Sequence, residues 1–210
     1  MHDTAQANAE RFFKTYINPN EYHTIIDIGS RNYGGSFHIG LLKTEKTKYI
    51  GLDFQYGQNV NTILEDPYVL PFEENTIDYA VSSSCFEHSE FFWLTYLEVM
   101  RVLKPGGLFY MNVPSNGAFH RFPVDCWRFY PDSATALVNW GKRNGLKNAL
   151  IEQYTSYREN DIWEDYVAIF IKNENLLSQF QSRIIDTFGN FKNGSVYPHD
   201  TIINNTEFSY

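Results

Sequence analysis

Thr24-Ile-Ile-Asp-Ile-Gly29, running into Ser30-Arg-Asn-Tyr-Gly-Gly35, decides the reading of this chain. It reads as a buried strand that ends in an acidic, glycine-bearing turn. A second apolar run, Tyr49-Ile-Gly-Leu-Asp53, follows at the spacing of a βαβ unit and ends in another carboxylate. An open parallel sheet grips a nucleoside with such a pair: glycines admit the ligand to the backbone, and the second acid takes the ribose hydroxyls. The pair alone does not separate a dinucleotide from S-adenosylmethionine.

Working outward, residues 4–16 read as a helix carrying Phe12, Phe13 and Tyr16, closed by the Asn18-Pro19-Asn20 break. Strands are expected at about 24–28, 48–53, 60–64, 77–82 and 108–113, with helices near 35–43 and at 90–103. Lys104-Pro-Gly-Gly107 stops the second of these helices and launches the next strand. A helix from Pro131-Asp132 to Asn144-Gly145 follows, then strands at 149–156 and 165–171 and a helix at 174–188. Alternating strands and helices imply an α/β, Rossmann-like fold, with a mostly parallel seven-stranded sheet and helices on both faces. The short link between the last two strands makes one edge an antiparallel hairpin. Residues 1–188 read as a single domain, and 189–210, rich in Asn, Ser and Thr, as a loose tail.

The 210 residues suffice for one substantial core. A net charge of −8 disfavours nucleic acid, whose phosphates need a basic surface, and equally disfavours adhesion to an anionic membrane. No apolar run is long enough to span a bilayer. Cys85 and Cys126 make neither a disulfide framework nor a zinc spacing, and both read as buried fillers. The start lacks the basic and apolar regions of a signal peptide, so a cytoplasmic location is expected.

Taken together, these segments resemble a class I S-adenosylmethionine-dependent methyltransferase over about residues 20–172. Asp27-Ile-Gly29 is similar to the family's first motif, and Asp53 to the acid ending its second strand. Asp66-Pro-Tyr-Val-Leu-Pro-Phe72 with Ile77-Asp78, Ser82-Ser-Ser-Cys-Phe-Glu-His88 and Arg101-Val-Leu-Lys-Pro-Gly-Gly107 match three further segments in the family's order. One departure stands out. The usual glycine two places after the first is Arg31 here, with Gly34-Gly35 arriving later, so the loop is expected to take another path round the methionine end. Asn112-Val-Pro-Ser-Asn116, the stretch His120–Tyr130 and Asp161-Ile-Trp-Glu-Asp165 resemble a subgroup that accompanies glycosyltransferases and polysaccharide-building enzymes. That resemblance implies a carbohydrate acceptor and glycosyltransferase partners.

The resemblance distributes the cofactor over Asp27 (ammonium), Gly29 (methionine portion), Arg31 (carboxylate), Asp53 (ribose), Phe54 (adenine face), Asp66 (adenine amino group), and Ser83 with Phe86 beneath the sulfonium. Each has a plainer alternative: the aspartates can cap turns, Asp66-Pro67 is itself a turn signal, and the phenylalanines can be core. Acceptor chemistry is expected beyond the carboxyl ends of strands four and five. His120, Asp125 and His88 are the catalytic candidates there, since histidine suits general-base work near neutrality. Arg121, Trp127, Arg128 and Tyr130 are the substrate-binding candidates. The alternative is a self-contained clamp, with Asp125 pairing Arg128 and Trp127 filling the core, and His88 a structural hydrogen-bonder. Asp161, Glu164 and Asp165 are too few and ambiguous for a magnesium site, so no metal is expected. The leading expectation is O-methylation of a sugar hydroxyl. A non-sugar small metabolite, or a catalytically silent binding module, are the alternatives.

Overall fold

The computed structural model describes residues 2–32 and 44–206. A nine-stranded sheet runs through them: β1 (His23–Ile28), β2 (Thr47–Asp53), β3 (Thr62–Ile63), β4 (Ile77–Ser83), β5 (Leu103–Pro114), β6 (Ala149–Ser156), β7 (Asp165–Ile171), β8 (Phe191–Val196) and β9 (His199–Ile203). Their order is β3-β2-β1-β4-β5-β7-β6-β8-β9. The strands from β3 to β5 are mutually parallel, and β7, β6, β8 and β9 continue the sheet antiparallel.

Alternating side chains of the central strands feed two cores. Ile25 and Tyr110 point to one face, under helix α1 (Asp3–Tyr16); Ile26 and Phe109 point to the other, under α2 (Phe92–Val102) and α3 (Asp132–Arg143). In α1, Ala5, Ala9, Phe12 and Tyr16 recur at helical spacing and are all buried, with the Phe12 ring 4.8 Å from that of Tyr110. Truncating Phe12 to alanine there costs about 3–5 kcal/mol. On the opposite face, Arg101 near the end of α2 donates to the carbonyls of Leu70 and Phe72, and Glu98 accepts both the Leu70 N–H and the Arg101 guanidinium. This clasp fixes the Leu70-Pro-Phe72 segment beside the sheet.

The expected α/β sheet is present, with two corrections. Nine strands replace seven, because β8 and β9 occupy residues expected to be a loose tail. Their sequence, Phe191-Lys-Asn-Gly-Ser-Val196, has little strand character of its own; β6 supplies the backbone partners and Phe191 is buried. The expected helix at 174–188 is instead two short 3-10 turns, Glu174–Gln179 and Ile184–Asp186. Three α-helices are found among the described residues. The helix expected near 35–43 lies outside the described residues, as does the Gly34-Gly35 pair. No described helix is long and apolar enough to cross a membrane.

The strand order reverses between β1 and β4: from β1 the chain goes on to β2 on one side, and from β4 to β5 on the other. Ligands of open α/β sheets collect beyond the carboxyl ends of the strands at such a switch. The register sets Ile28 beside both Leu52 and Ser82, and Ser83 beside Asn112, so the ends of β1, β2, β4 and β5 share one rim.

Candidate functional site

A cavity of about 560 Å³ opens at that rim. One half is walled by Gly29, Ser30, Arg31, Asp53, Phe54 and Ser83; the other by Glu87, His88, His120, Phe122 and Trp163, with His2 reaching in from the N-terminal side.

Gly29 holds φ at +76°, and a Cβ there would sit 2.5 Å from the Cys85 sulfur. Only glycine makes this turn while letting the β1 exit lie against the β4 exit. The turn is pinned by the N–H groups of Gly29 and Ser30, both donating to the Leu52 carbonyl. Asp53 is buried at the end of β2. Its two oxygens accept the N–H groups of Arg31 (3.2 Å) and Gln55 (2.9 Å). A carboxylate has about four acceptor positions, so two remain for a vicinal diol. The Arg31 guanidinium lies along the wall and donates to Gln55. Phe54 is 46% exposed on the same side, a free face for a flat ring. Ser83 lines the floor. Phe86 lines it too, and its ring also packs against Phe92 and Phe109 in the core.

Two expected cofactor residues stand elsewhere. Asp27 is buried within β1, accepts the Tyr49 hydroxyl at 2.8 Å and does not line the main cavity. Asp66 is exposed, accepts the N–H of Tyr68 at 2.9 Å and stays outside the cavity. The Asp-Pro turn reading therefore describes its position.

In the half lined by Glu87 and Trp163, His88 and His120 meet edge to face with ring centroids 5.0 Å apart. The His88 Nδ1 lies 2.5 Å from the Val124 carbonyl, and its Nε2 lies 3.6 Å from a carboxyl oxygen of Glu87. Burial holds the His88 imidazole below its ordinary pKa. Glu87 is 1% exposed. Burial pushes its carboxyl up to about 8, helped by the negative charges of Asp165 and Asp125 and opposed by Arg128. His120 stacks obliquely on Trp163, with ring centroids 4.9 Å apart.

Asp125 is a positioning residue, not a cavity wall. It accepts the His120 backbone N–H at 2.7 Å and both terminal nitrogens of Arg128 at 2.6 and 2.9 Å. The Arg128 guanidinium holds its carboxyl at about 2, well below the usual range. The Asp125–Arg128 clamp thus exists as the plainer reading had it, and its product is the placement of His120. Trp127 does not fill the core: it is 38% exposed, packs edge-on to Phe92 and Trp93, and donates its indole N–H to the Ser89 carbonyl. Arg121 and Tyr130 are exposed and outside the cavity, and half-buried Arg128 also lies outside it. Cys126 is exposed, against the expectation of a buried filler, while Cys85 is an intermediate packing residue whose thiol is pushed up by burial.

The sequence reading missed His2, Trp163 and the burial of Glu87. His2 is held by Asp161 at 3.2 Å and lies 3.5 Å from Asp165. Asp161 and Asp165 therefore tie down the N-terminal segment. Trp163 stood within the Asp161–Asp165 segment, so a signal existed for it; a histidine at position 2 carried none.

Residues 27–111 match the family model described as a methyltransferase domain. No curated protein sequence matches the chain. Among solved structures, the Burkholderia thailandensis 1,6-didemethyltoxoflavin-N1-methyltransferase, solved with 1,6-didemethyltoxoflavin and S-adenosylhomocysteine bound, superposes with a TM-score of 0.62 at 13% identity, over 82% of this chain and 80% of its own. A SAM-dependent methyltransferase from Aquifex aeolicus gives 0.56 at 17% identity, over 78% and 89%. At these identities the likeness shows the fold, and the family model supplies the activity. Gly29 and Asp53, both within the matched segment, line the cavity at the sheet rim, and the methyltransferase-domain match together with the shared fold supports an S-adenosylmethionine-dependent methyltransferase.

Proposed function

We propose that the protein methylates a sugar hydroxyl of a glycan or glycan precursor, in company with glycosyltransferases. The observation that carries this reading is the His88–His120 pair beside Trp163: two imidazoles and an aromatic face at one end of the cofactor cavity. A pyranose offers the matching surface, a C–H face for the indole and hydroxyls for the imidazoles.

The residues of the other half fit the cofactor. Asp53 has two acceptor positions for ribose hydroxyls, Phe54 offers a face to adenine, and Gly29 and Ser83 leave room for the methionine portion. When bound, the cofactor supplies an electrophilic methyl group on a sulfonium. The chain must then hold the acceptor oxygen in line, take its proton and exclude water. His120 is the base in this reading, because its Nδ1 lies beside the Ala118 carbonyl and leaves Nε2 for the hydroxyl proton. Asp125 fixes the loop that carries it. Phe122 and Trp163 keep water from the acceptor.

A non-sugar metabolite is the second reading. The Burkholderia structure, named for N1-methylation and solved with 1,6-didemethyltoxoflavin bound, supports a non-sugar acceptor for this fold. Incubation with methyl-labelled S-adenosylmethionine and panels of mono-, di- and nucleotide sugars separates the two. Label on a sugar oxygen supports the proposal. Label confined to non-sugar acceptors overturns it.

A further inference from the structure

We propose that Glu87, His88 and His120 bind one divalent transition-metal ion, of the zinc or ferrous kind, in the acceptor half of the cavity. One ligand atom from each residue falls within 4.8 Å of the other two, and the Glu87 oxygen and His88 Nε2 are already 3.6 Å apart. Tetrahedral bonds of about 2.0–2.1 Å set donors roughly 3.4 Å from one another, so the set needs only a small contraction to ligate.

Both imidazoles are oriented as ligands. The Val124 carbonyl can only accept, so His88 carries its proton on Nδ1 and its lone pair on Nε2. In His120, Nδ1 lies 3.1 Å from the Ala118 carbonyl and 3.4 Å from Asp125. The Arg128 terminal nitrogen 3.2 Å from that Nδ1 already donates to Ala118 and Asp125, at 2.9 Å each. With both of its protons committed there, Nδ1 of His120 is the donor and Nε2 the free lone pair. A carboxylate or carbonyl behind the distal nitrogen is the usual support of a metal-bound histidine.

Glu87 gives an independent reason. Its Oε2 is buried with no hydrogen-bond partner among the described residues. The terminal nitrogens of the nearby Arg128 guanidinium are taken up by Asp125, and no hydrogen bond joins Arg128 to Glu87 Oε2. A buried carboxyl oxygen left unpaired is costly, and a cation that displaces the carboxyl proton and binds the carboxylate removes that cost. Two imidazoles and one carboxylate suit zinc or ferrous iron, whereas magnesium and calcium prefer all-oxygen sites.

Three protein ligands leave at least one coordination position facing the cavity. An acceptor hydroxyl bound there would be acidified by the ion, releasing its proton to water as the carbon–oxygen bond forms and the carbon–sulfur bond breaks. With the ion present, the imidazoles hold metal and the ion takes over the task assigned above to His120. That catalytic role rests on the O-methylation reading; the binding of the ion does not.

The test uses the untagged full chain, stripped with a chelator, dialysed, and titrated with zinc against a chromogenic competitor and with cobalt by visible absorption. One ion per chain is expected, with a dissociation constant at or below the micromolar range. Glu87→Gln and His120→Ala should each weaken it more than about tenfold while keeping the wild-type melting curve. His88→Asn provides a third variant should either of those fail to fold. No stoichiometric uptake by the wild type, or equal uptake by all folded variants, overturns the site. S-adenosylhomocysteine binding by the same stripped protein is read in parallel. Retained cofactor binding without metal uptake overturns the metal site alone, and loss of cofactor binding overturns the methyltransferase reading beneath it.

Discussion

The rings of His88 and His120 meet at 5.0 Å although one follows β4 and the other follows β5. The meeting depends on two anchors: the Val124 carbonyl behind His88 and the Asp125 carboxylate behind the His120 backbone. The end of the cavity that carries the histidines is therefore assembled by the 120–130 loop, and several consequences can be measured.

His120→Ala should leave S-adenosylhomocysteine affinity within about threefold and lower kcat by between about 100- and 10,000-fold, the range for loss of an acid–base or metal-activating group. Calorimetry and initial rates check the two halves. Unchanged turnover would move the acceptor chemistry away from this loop.

Arg128→Ala removes the cation that holds the Asp125 carboxyl at about 2, from an ordinary value of 3.8. Because the folded pKa is depressed, the stability from this pair is complete above about pH 4 and is lost as pH falls through the interval down to about 2. Acid-melting curves of wild type and variant should differ above pH 4 and converge below it. Turnover should fall too, since His120 loses its anchor, although Arg128 does not touch the cavity.

Asp66→Ala should cost about 1 kcal/mol through the lost turn bond to Tyr68 and leave cofactor affinity unchanged. A tenfold or greater loss of affinity in calorimetry would show that Asp66 turns into the cavity when the cofactor binds.

Truncation after residue 188 removes β8 and β9, exposes the edge of β6 and uncovers the core that Phe191 closes. The shortened chain should melt well below the full one and aggregate through the bared edge, which light scattering during refolding would detect.

The parallel half of the sheet was legible because its strands are apolar runs ending in Gly29, Asp53 and Ser83, and burial on both faces demands such runs. β8 and β9 were illegible because Asn193, Gly194 and Ser195 carry no strand signal; an edge strand takes its structure from backbone bonds to its neighbour. Asp53, Gly29 and Phe54 could be read from position alone, since a residue at a strand's carboxyl end faces the crevice. Asp27 could not, because its carboxylate turns to the Tyr49 hydroxyl, a contact between two strands. The pairing of Asp125 with Arg128 stood in the sequence only as the alternative to catalytic and substrate-binding roles, and nothing there showed that their clamp seats a histidine. Nor does sequence distinguish a solvated glutamate from Glu87, whose burial follows from how the β4 exit folds under the 120–130 loop.

The most direct test of the account is a calorimetric titration of the wild type and Asp53→Ala with S-adenosylhomocysteine. Micromolar binding by the wild type is expected, with a loss of about 100-fold or more in the variant, the equivalent of two hydrogen bonds to a charged acceptor. Equal affinity in both proteins, or none in the wild type, would contradict the placement of the cofactor at the ends of β1, β2 and β4.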